Sequence, residues 1–297
     1  MSYSAIVLAG GDGTRLQALT RALAGDDRPK QFCRILGYET LLEQTRRRAL
    51  MLVDSERLLT VVTHRHERFY APLLADAPPQ SVIVQPENRG TATAIVLALR
   101  CLHPEHPVIV LPSDHYVSDD AAFMARVEGA CEAVLARPDL VVLLGIAADR
   151  PEVEFGWIEP GALILGAGPW PLYRVARFRE KPGLAVAARL VRQGGLWNSF
   201  VLVARASTLT GLIRRAVPGL VEGLAAVPAR LGRPGEDDVL GRIYAGLPST
   251  DFSRHVLQRY PEDLAVLPVT GLGWNDLGDP GRVLATRARA RSALVSA

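Results

Sequence analysis

Residues 8–16 read LAGGDGTRL and directly follow the first apolar run of the chain, residues 3–9. Glycine lets the backbone come close to a ligand, and amides at a turn from strand to helix can hold phosphate oxygens. Residues 28–32 read RPKQF, so Arg15 and Lys30 would add positive charge for a triphosphate. Together these residues predict a phosphate-binding loop after the first strand.

Other interpretations of this loop explain less of it. An ordinary glycine-rich turn accounts for the glycines but leaves Arg15 and Lys30 without a reason. A dinucleotide-binding fingerprint needs a third glycine where Leu16 stands, and a P-loop needs a Gly-Lys-Ser/Thr sequence that is missing here. The loop is therefore best explained as a nucleoside-triphosphate site that is neither a dinucleotide fingerprint nor a P-loop.

Apolar runs typical of buried strands alternate with longer segments of helical periodicity in the first half of the chain. The runs rich in Val, Ile and Leu occupy residues 3–9, 58–63, 81–85, 107–111 and 140–146. The helical segments include residues 41–52, 91–102 and 119–136. This alternation predicts an α/β protein with a mostly parallel sheet covered by helices on both faces.

Glycine and proline interrupt this pattern after Arg150. Later elements are an extended segment at 173–179, a helix at 184–193, a strand at 199–204, a helical region from 207 to about 231, a loop at 232–238 and a strand at 264–269. We expect one domain over residues 1–297, with halves at 1–150 and 151–280 and a C-terminal helix at 281–297.

Composition excludes several classes of function. The formal net charge of +3 comes from 34 basic and 31 acidic residues spread along the chain, which makes no basic stripe for a nucleic acid polymer. Three cysteines match no zinc or disulfide spacing. No signal-peptide pattern or membrane-length apolar run is present. We expect a cytoplasmic protein that acts on a small anion and contacts no membrane.

Two aspartates stand where a cation could bind. Asp114 lies in LPSDH, residues 111–115, at the carboxyl end of a predicted strand, where ligands bind in open α/β sheets. Asp276 lies in GWNDLG, residues 273–278. Each also has an ordinary explanation, because aspartate is a common helix cap and a common turn residue beside glycine.

Four further segments complete a recognisable set: QPENRGTA at 85–92, EFGWI at 154–158, FREKP at 178–182 and WNS at 197–199. With the glycine loop and Pro29-Lys30, they resemble the sugar-nucleotide pyrophosphorylases, a family of nucleotidyltransferases, over residues 3 to about 284. Residues 29–32 and 85–92 are typical of its mannose-1-phosphate guanylyltransferase branch. The resemblance implies a glycosyltransferase-A-like, Rossmann-like fold, and the hexapeptide periodicity of a C-terminal β-helix is absent.

The resemblance also implies a reaction and its residues. GTP and a sugar 1-phosphate, with mannose 1-phosphate as the first choice, would give a nucleotide sugar and pyrophosphate, and a homodimer is one option for the assembly. The nucleotide would be bound by Leu8, Gly10, Gly11, Gly13, Thr14, Arg15, Lys30, Gln85, Glu87, Asn88, Arg89, Thr91 and Asp114. The sugar phosphate would be bound by Gly156, Glu180, Lys181 and Asn198. The catalytic residues would be Arg15, Lys30, Asp114, Lys181 and Asp276, with Mg²⁺ on Asp114 and Asp276.

The sequence departs from the family pattern at several places. Phe200 occupies the position of a common glycine after Trp-Asn-Ser, Phe155 replaces a common tyrosine, and residues 251–257 do not match the segment expected there, so no role is assigned to them. The same chemistry with another sugar or nucleotide therefore stays open. A non-catalytic sugar-nucleotide sensor is the alternative from another class of protein.

Overall fold

The strands of the protein pair into one mixed sheet. The computed structural model describes residues 3–165, 169–227 and 236–295. In these residues the strands are β1 (Ser4–Leu8), β2 (Leu58–Thr63), β3 (Val82–Gln85), β4 (Pro107–Pro112), β5 (Val141–Ala147), β6 (Gly156–Leu165), β7 (Leu172–Glu180), β8 (Leu196–Arg205) and β9 (Leu264–Val269). They form a nine-stranded sheet in the order β3-β2-β1-β4-β8-β5-β9-β7-β6.

Parallel pairing dominates the amino half of the sheet. β1 pairs in parallel with β2 and β4, and β2 pairs in parallel with β3. β8 runs antiparallel between β4 and β5, β9 runs parallel to β5, and β7 is antiparallel to both β9 and β6. The prediction of a mixed sheet is confirmed, but the sheet is mostly parallel only among β1 to β4. Of the nine pairings between the described strands, four are parallel and five are antiparallel, and every antiparallel pair involves β6, β7 or β8.

Helices cover both faces of this sheet, as predicted. They are α1 (Gln17–Ala24), α2 (Leu41–Ala49), α3 (Glu67–Tyr70), α4 (Thr91–Leu99), α5 (Asp120–Ala136), α6 (Leu184–Arg192), α7 (Ala206–Ala216), α8 (Pro218–Gly223), α9 (Glu236–Gly246) and α10 (Pro280–Val295). Side chains alternate across β1, so Ile6 packs in one apolar cluster with α4, α7 and α8, whereas Ala5 and Val7 pack in another with α2, α5 and α6. Each face of the sheet thus has its own core.

Three segments depart from the sequence-based expectations. β6 was not predicted, because Pro160 and Gly161 interrupt its apolar pattern; the register between β6 and β7 shifts at these residues, which is how a strand accommodates them. The helical region from 207 divides at Pro218 into α7 and α8, and its end beyond 227 lies outside the described residues. The loop at 232–238 lies outside them up to residue 235, and α9 begins at Glu236.

Two loops meet at the edge of the sheet formed by the carboxyl ends of β1, β3 and β4. Tyr116, after β4, and Asn275, after β9, exchange backbone hydrogen bonds of 2.8 and 2.9 Å, and Ser118 N donates to Leu272 O at 2.9 Å. These bonds bring the neighbourhoods of Asp114 and Asp276 together. In the described ranges, no helix is long and apolar enough to cross a bilayer.

The backbone makes a close contact where β3 leads into α4. Gly90 has a φ of 87°, and a Cβ atom on it would lie 2.4 Å from the carbonyl oxygen of Thr250. Hydrogen bonds hold the two segments together, since Thr250 N donates to Arg89 O at 2.9 Å and Ala92 N donates to Thr250 O at 3.1 Å. The position therefore admits only glycine, for both backbone conformation and space.

We predict that Gly90→Ala lowers the free energy of unfolding by about 2 kcal/mol or more, because the added methyl group must push two hydrogen-bonded backbones apart in a left-handed conformation. Urea denaturation measures the change. Gly211→Ala is the matched control: a Cβ atom there meets nothing within 4 Å inside α7, so that variant should be more stable by about 0.5–1 kcal/mol. Equal effects of the two substitutions would contradict the prediction.

Candidate active site

A cavity of about 630 Å³ opens at the carboxyl ends of β1, β3 and β4. This volume suits a nucleotide-sized ligand, and the place is where open α/β sheets bind ligands. Residues predicted to bind the nucleotide form much of its wall: Leu8, Gly10, Gly11, Arg15, Gln85, Asn88, Thr91 and Asp114. A smaller cavity of about 190 Å³ shares Arg15 and Asp114 and adds Gly13, Thr14 and Lys30.

The glycine loop is held in place by residues of the RPKQF segment. Gln31 donates through Nε2 to Ala9 O at 3.1 Å and to Gly11 O at 2.7 Å. Gly13 has a φ of 61° and lies against the backbone of Pro29 and Lys30, where a Cβ atom would be 3.2 Å away. The RPKQF segment thus shapes the loop, a structural role for Gln31 that the charge pattern of the sequence did not reveal.

The segment 85–92 divides between the cavity and the surface around it. Gln85 is buried and accepts a hydrogen bond from Tyr244 Oη at 3.2 Å. Asn88 donates to Asp12 at 3.3 Å and accepts from Gly90 N at 3.0 Å. Glu87 and Arg89 pair with each other at 2.7 Å and line neither cavity. The predicted nucleotide-binding set is therefore only partly gathered around the cavity.

Lys30 lies buried between the two aspartates rather than free in the cavity. Its ammonium is 3.2 Å from Asp114 Oδ2 and donates to the backbone carbonyls of Asp276 and Leu277, the latter at 3.3 Å. Burial alone would raise the pKa of the Asp114 carboxyl, but Lys30 and His115 bring it below the usual range. Asp114 is thus held as a carboxylate at the edge of both cavities.

Asp276 has its own cationic partner. Its Oδ1 atom accepts from Arg282 Nη1 at 2.7 Å and from Gly278 N at 3.0 Å. Arg282 comes from α10, which the sequence predicted as a helix but did not connect with the site. Arginines are frequent in this chain, so nothing in the sequence distinguished this one.

The two carboxylates suit the predicted magnesium ion. Mg²⁺ takes one or two carboxylates from a protein and completes its shell with water and substrate phosphates. Asp114 and Asp276 provide that number on two loops joined by the Tyr116–Asn275 bridge. In the described ranges, no group of three or more His, Cys, Asp or Glu side chains is arranged to hold a metal, at this site or at any other. The donor set therefore fits the group that the resemblance implies.

Three residues predicted to bind the sugar phosphate lie together beside the main cavity. A Cβ atom on Gly156 would lie 2.8 Å from Glu180 Oε2 and 3.3 Å from Asn198 Cβ. Lys181 follows Glu180 at the end of β7, in a left-handed conformation with a φ of 47°. Asp251, which lines the main cavity, acts electrostatically on Glu180 and so connects the two regions.

Glu154 lies between Arg15 and Lys181, which are predicted to bind the phosphates of the nucleotide and of the sugar. Its Oε2 atom is 3.1 Å from Arg15 Nη1 and 3.6 Å from Lys181 Nζ. All three side chains are between 42% and 60% exposed, so these ion pairs are weak and a phosphate can replace the carboxylate. Glu154 belongs to the EFGWI segment, but the sequence pattern predicted no role for it.

Phe200 stands in a β-bulge of β8. Its φ of 61° is rare for a bulky residue and matches the glycine that the family pattern expects. The register between β5 and β8 shifts over this segment, and Phe200 N donates to Asn198 Oδ1 at 3.1 Å. The Phe200 ring lines the main cavity and meets the Phe252 ring at 6.0 Å between centroids.

Fold and site together define an α/β protein with a ligand cavity at the carboxyl edge of its parallel strands. The family model of the nucleotidyl transferases matches residues 4–288, and the chain belongs to this family. Its sequence is 32% identical over 280 residues to the Xanthan biosynthesis protein XanB of Xanthomonas campestris pv. campestris and 30% identical over 285 residues to a mannose-1-phosphate guanylyltransferase of Escherichia coli. Each match covers 92% of this chain and 57% of the relative, so the chain spans little more than half of their length.

Solved structures agree with this assignment. A mannose-1-phosphate geranyltransferase from Thermus thermophilus is 34% identical, with a TM-score of 0.78 over 94% of this chain and 77% of that chain. A UDP-glucose pyrophosphorylase is 13% identical with a TM-score of 0.63, which shows a shared fold. The family resemblance and the fold inferred from the sequence are thus confirmed.

We predict that Glu180→Gln stabilises the protein at high pH only. Burial, with Asp251 nearby, raises the pKa of Glu180 from 4.5 to about 7. The folded protein therefore binds a proton more tightly than the unfolded chain, and this stabilisation is lost as the pH rises from 4.5 through about 7. The variant keeps the neutral form, so its advantage over the wild type should grow across that window to on the order of 1 kcal/mol.

Thermal or urea unfolding between about pH 4.5 and pH 8.5 measures this difference. Glu56→Gln removes an exposed carboxylate and serves as the control, for which a flat difference across the window is expected. If the advantage of Glu180→Gln shrinks as the pH rises, the sign is opposite to the prediction, and the conclusion that burial raises the pKa of Glu180 is wrong.

Proposed function

We propose that this chain transfers a guanylyl group from GTP to mannose 1-phosphate and releases pyrophosphate. One observation carries the proposal: the glycine loop, the segment after β3 and Asp114, which are far apart in the sequence, line one cavity of nucleotide size. The named activity of the Escherichia coli relative supports the choice of substrates. A cytoplasmic location belongs to the proposal, and a homodimer remains an expectation for sedimentation to test.

The reaction is an in-line displacement at phosphorus. An oxygen of the sugar 1-phosphate forms a bond to the α-phosphorus of GTP, while the bond from that phosphorus to the bridging oxygen breaks and pyrophosphate leaves. The attacking phosphate monoester has a second pKa of about 6. It is therefore largely dianionic near neutral pH and needs no general base. The difficulty is instead the negative charge that gathers on both reactants.

The residues of the chain then act by positioning and by neutralising charge. Backbone amides of Gly10 and Gly11 would face the triphosphate, and Arg15 would leave Glu154 to pair with it. Lys181 would likewise exchange Glu154 for the incoming sugar phosphate. Lys30, which is buried and lines the smaller cavity, would supply positive charge to the triphosphate from that position. Asp114 and Asp276 would hold Mg²⁺, which supplies positive charge to the phosphates when bound.

Sugar recognition would come from the cluster beside the main cavity. Glu180 and Asn198 offer hydrogen-bonding groups to sugar hydroxyls, and Gly156 leaves room for the ring. Phe200 reduces the space next to them, since its ring lines the cavity where the family pattern has a glycine. Mannose is therefore the part of the proposal that needs the most direct test.

We predict that GTP is used more efficiently than UTP, dTTP or ATP when mannose 1-phosphate is the acceptor, because groups of Gln85 and Asn88 at the cavity wall can distinguish base edges. Loss of one buried hydrogen bond should cost about ten-fold in kcat/KM. Pyrophosphate release measured across the four nucleotides and a panel of hexose 1-phosphates decides the matter. Preference for another nucleotide would reject the guanylyl assignment, and GTP binding without turnover would indicate a sensor.

We predict that Lys181→Ala weakens the use of mannose 1-phosphate by about ten-fold or more and leaves the GTP affinity within about two-fold. The reason is its position directly after β7, next to Glu180 and the other residues predicted to bind the sugar phosphate. KM for the sugar phosphate and calorimetric GTP affinity are the two measurements. The control is Arg15→Ala, for which the GTP affinity should fall. An equal loss of GTP affinity in both variants would place Lys181 on the nucleotide.

A further inference from the structure

Arg282 is the centre of a group of acids beside the active site. Its side chain is only 14% exposed. Nη1 donates to Asp276 Oδ1 at 2.7 Å, Nη2 donates to Glu152, and Nε is 2.8 Å from Asp279 Oδ2. The guanidinium also lies over the ring of Phe155, 4.6 Å from its centroid. Each of the three guanidinium nitrogens therefore has an acidic partner, which fixes the position of the group.

The helix that carries Arg282 is itself anchored near the site. Val283, the next residue of α10, is fully buried in an apolar cluster with Leu16 and Leu277. Leu16 ends the glycine loop, and Leu277 follows Asp276 directly. The cluster thus sets the distance between α10 and the loop that carries Asp276, so Arg282 meets that aspartate in a defined geometry.

The contacts of Asp276 are unevenly divided between its two oxygens. Both hydrogen bonds that its carboxylate accepts, from Arg282 Nη1 and from Gly278 N, reach Oδ1. Oδ2 lies over Gly278, where a Cβ atom would be 2.5 Å away, so only glycine leaves it in place. The carboxylate is therefore held through Oδ1, and Oδ2 is left to bind another group.

Charge explains why a cation is needed at this point. Glu152, Asp276 and Asp279 converge on Arg282, and without it three carboxylates would repel one another across a short distance. Glu152 is also held by Arg150 at 2.7 Å through its other oxygen. Arg282 thus neutralises this group of acids and holds Asp276, the one that the proposed function requires as a metal ligand.

We propose that Arg282 is a positioning residue that orients the Asp276 carboxylate, so that Oδ2 is presented to the magnesium ion of the substrate complex. This inference rests on the proposed function. Partners that orient a metal ligand commonly change metal affinity by about 10–100-fold when they are removed. A guanidinium beside a metal ligand would otherwise weaken cation binding by repulsion, so the two views predict opposite signs.

The experiment measures GTP affinity by calorimetry, once with excess Mg²⁺ and once with EDTA, for the wild type and for Arg282→Gln. We expect the gain in affinity that Mg²⁺ gives to fall by about ten-fold in the variant, with the affinity in EDTA unchanged within about two-fold. Arg282→Lys keeps the charge but loses the planar fork, so it should lose most of the same gain. A merely structural role would leave the magnesium-dependent gain unchanged.

Two further variants separate the possible failures. Arg100→Gln removes a partly buried arginine that donates to the carbonyls of Ala225 and Val227, at the end of α4 opposite to the cavity, and should leave the gain as in the wild type. Asp276→Asn tests the proposed metal site itself. Loss of the gain in Asp276→Asn but an unchanged or larger gain in Arg282→Gln would overturn only the role of Arg282. No loss in Asp276→Asn would overturn the metal site and this inference with it.

Discussion

The buried ammonium of Lys30 is the interaction on which the site depends. It lies between the Asp114 carboxylate and the backbone carbonyls of Asp276 and Leu277, and so joins three chain segments that are far apart in the sequence. A charge buried without partners is very costly, whereas each group in this arrangement has one. The loops after β4 and β9 therefore cannot separate without exposing or isolating a charge. Lys30 therefore stabilises their mutual position, and with it the predicted magnesium site, together with the backbone hydrogen bonds between Tyr116 and Asn275.

Much of this architecture could be predicted from local patterns. The runs at 58–63 and 264–269 coincide with β2 and β9, because buried strands need continuous apolar residues and little else. β6 could not be predicted in this way, since Pro160 and Gly161 are tolerated only through register shifts that depend on its partner β7. Its stability comes from pairing across the sheet, which a single segment of sequence does not contain.

The same distinction applies to the site. Residues in compact motifs, such as the glycine loop and Asp114, could be placed because the residues that indicate the chemistry are adjacent in the sequence. Arg282 and Glu154 could not, because each acts on partners more than a hundred residues away in the sequence, Arg282 on Glu152 and Glu154 on Arg15. Arginine and glutamate on surfaces usually form weak, exposed pairs. Only the fold shows that Glu154 lies between Arg15 and Lys181 and that Arg282 binds Asp276 and Glu152 together.

Phe200 has a left-handed backbone conformation that glycine would adopt more easily. Ser199 donates through its hydroxyl to Leu144 O at 2.6 Å and accepts from Val201 N at 3.1 Å, while Asn198 accepts from Phe200 N. These bonds define the bulge and hold residue 200 in the left-handed region, whatever its side chain. Phenylalanine adopts that conformation at a cost of about 1–2 kcal/mol, and its contact with Phe252 offsets part of it. The bulge also holds Asn198 through the hydrogen bond from Phe200 N. The constraint at position 200 therefore lies in the backbone conformation, whereas the side chain sets the width of the cavity.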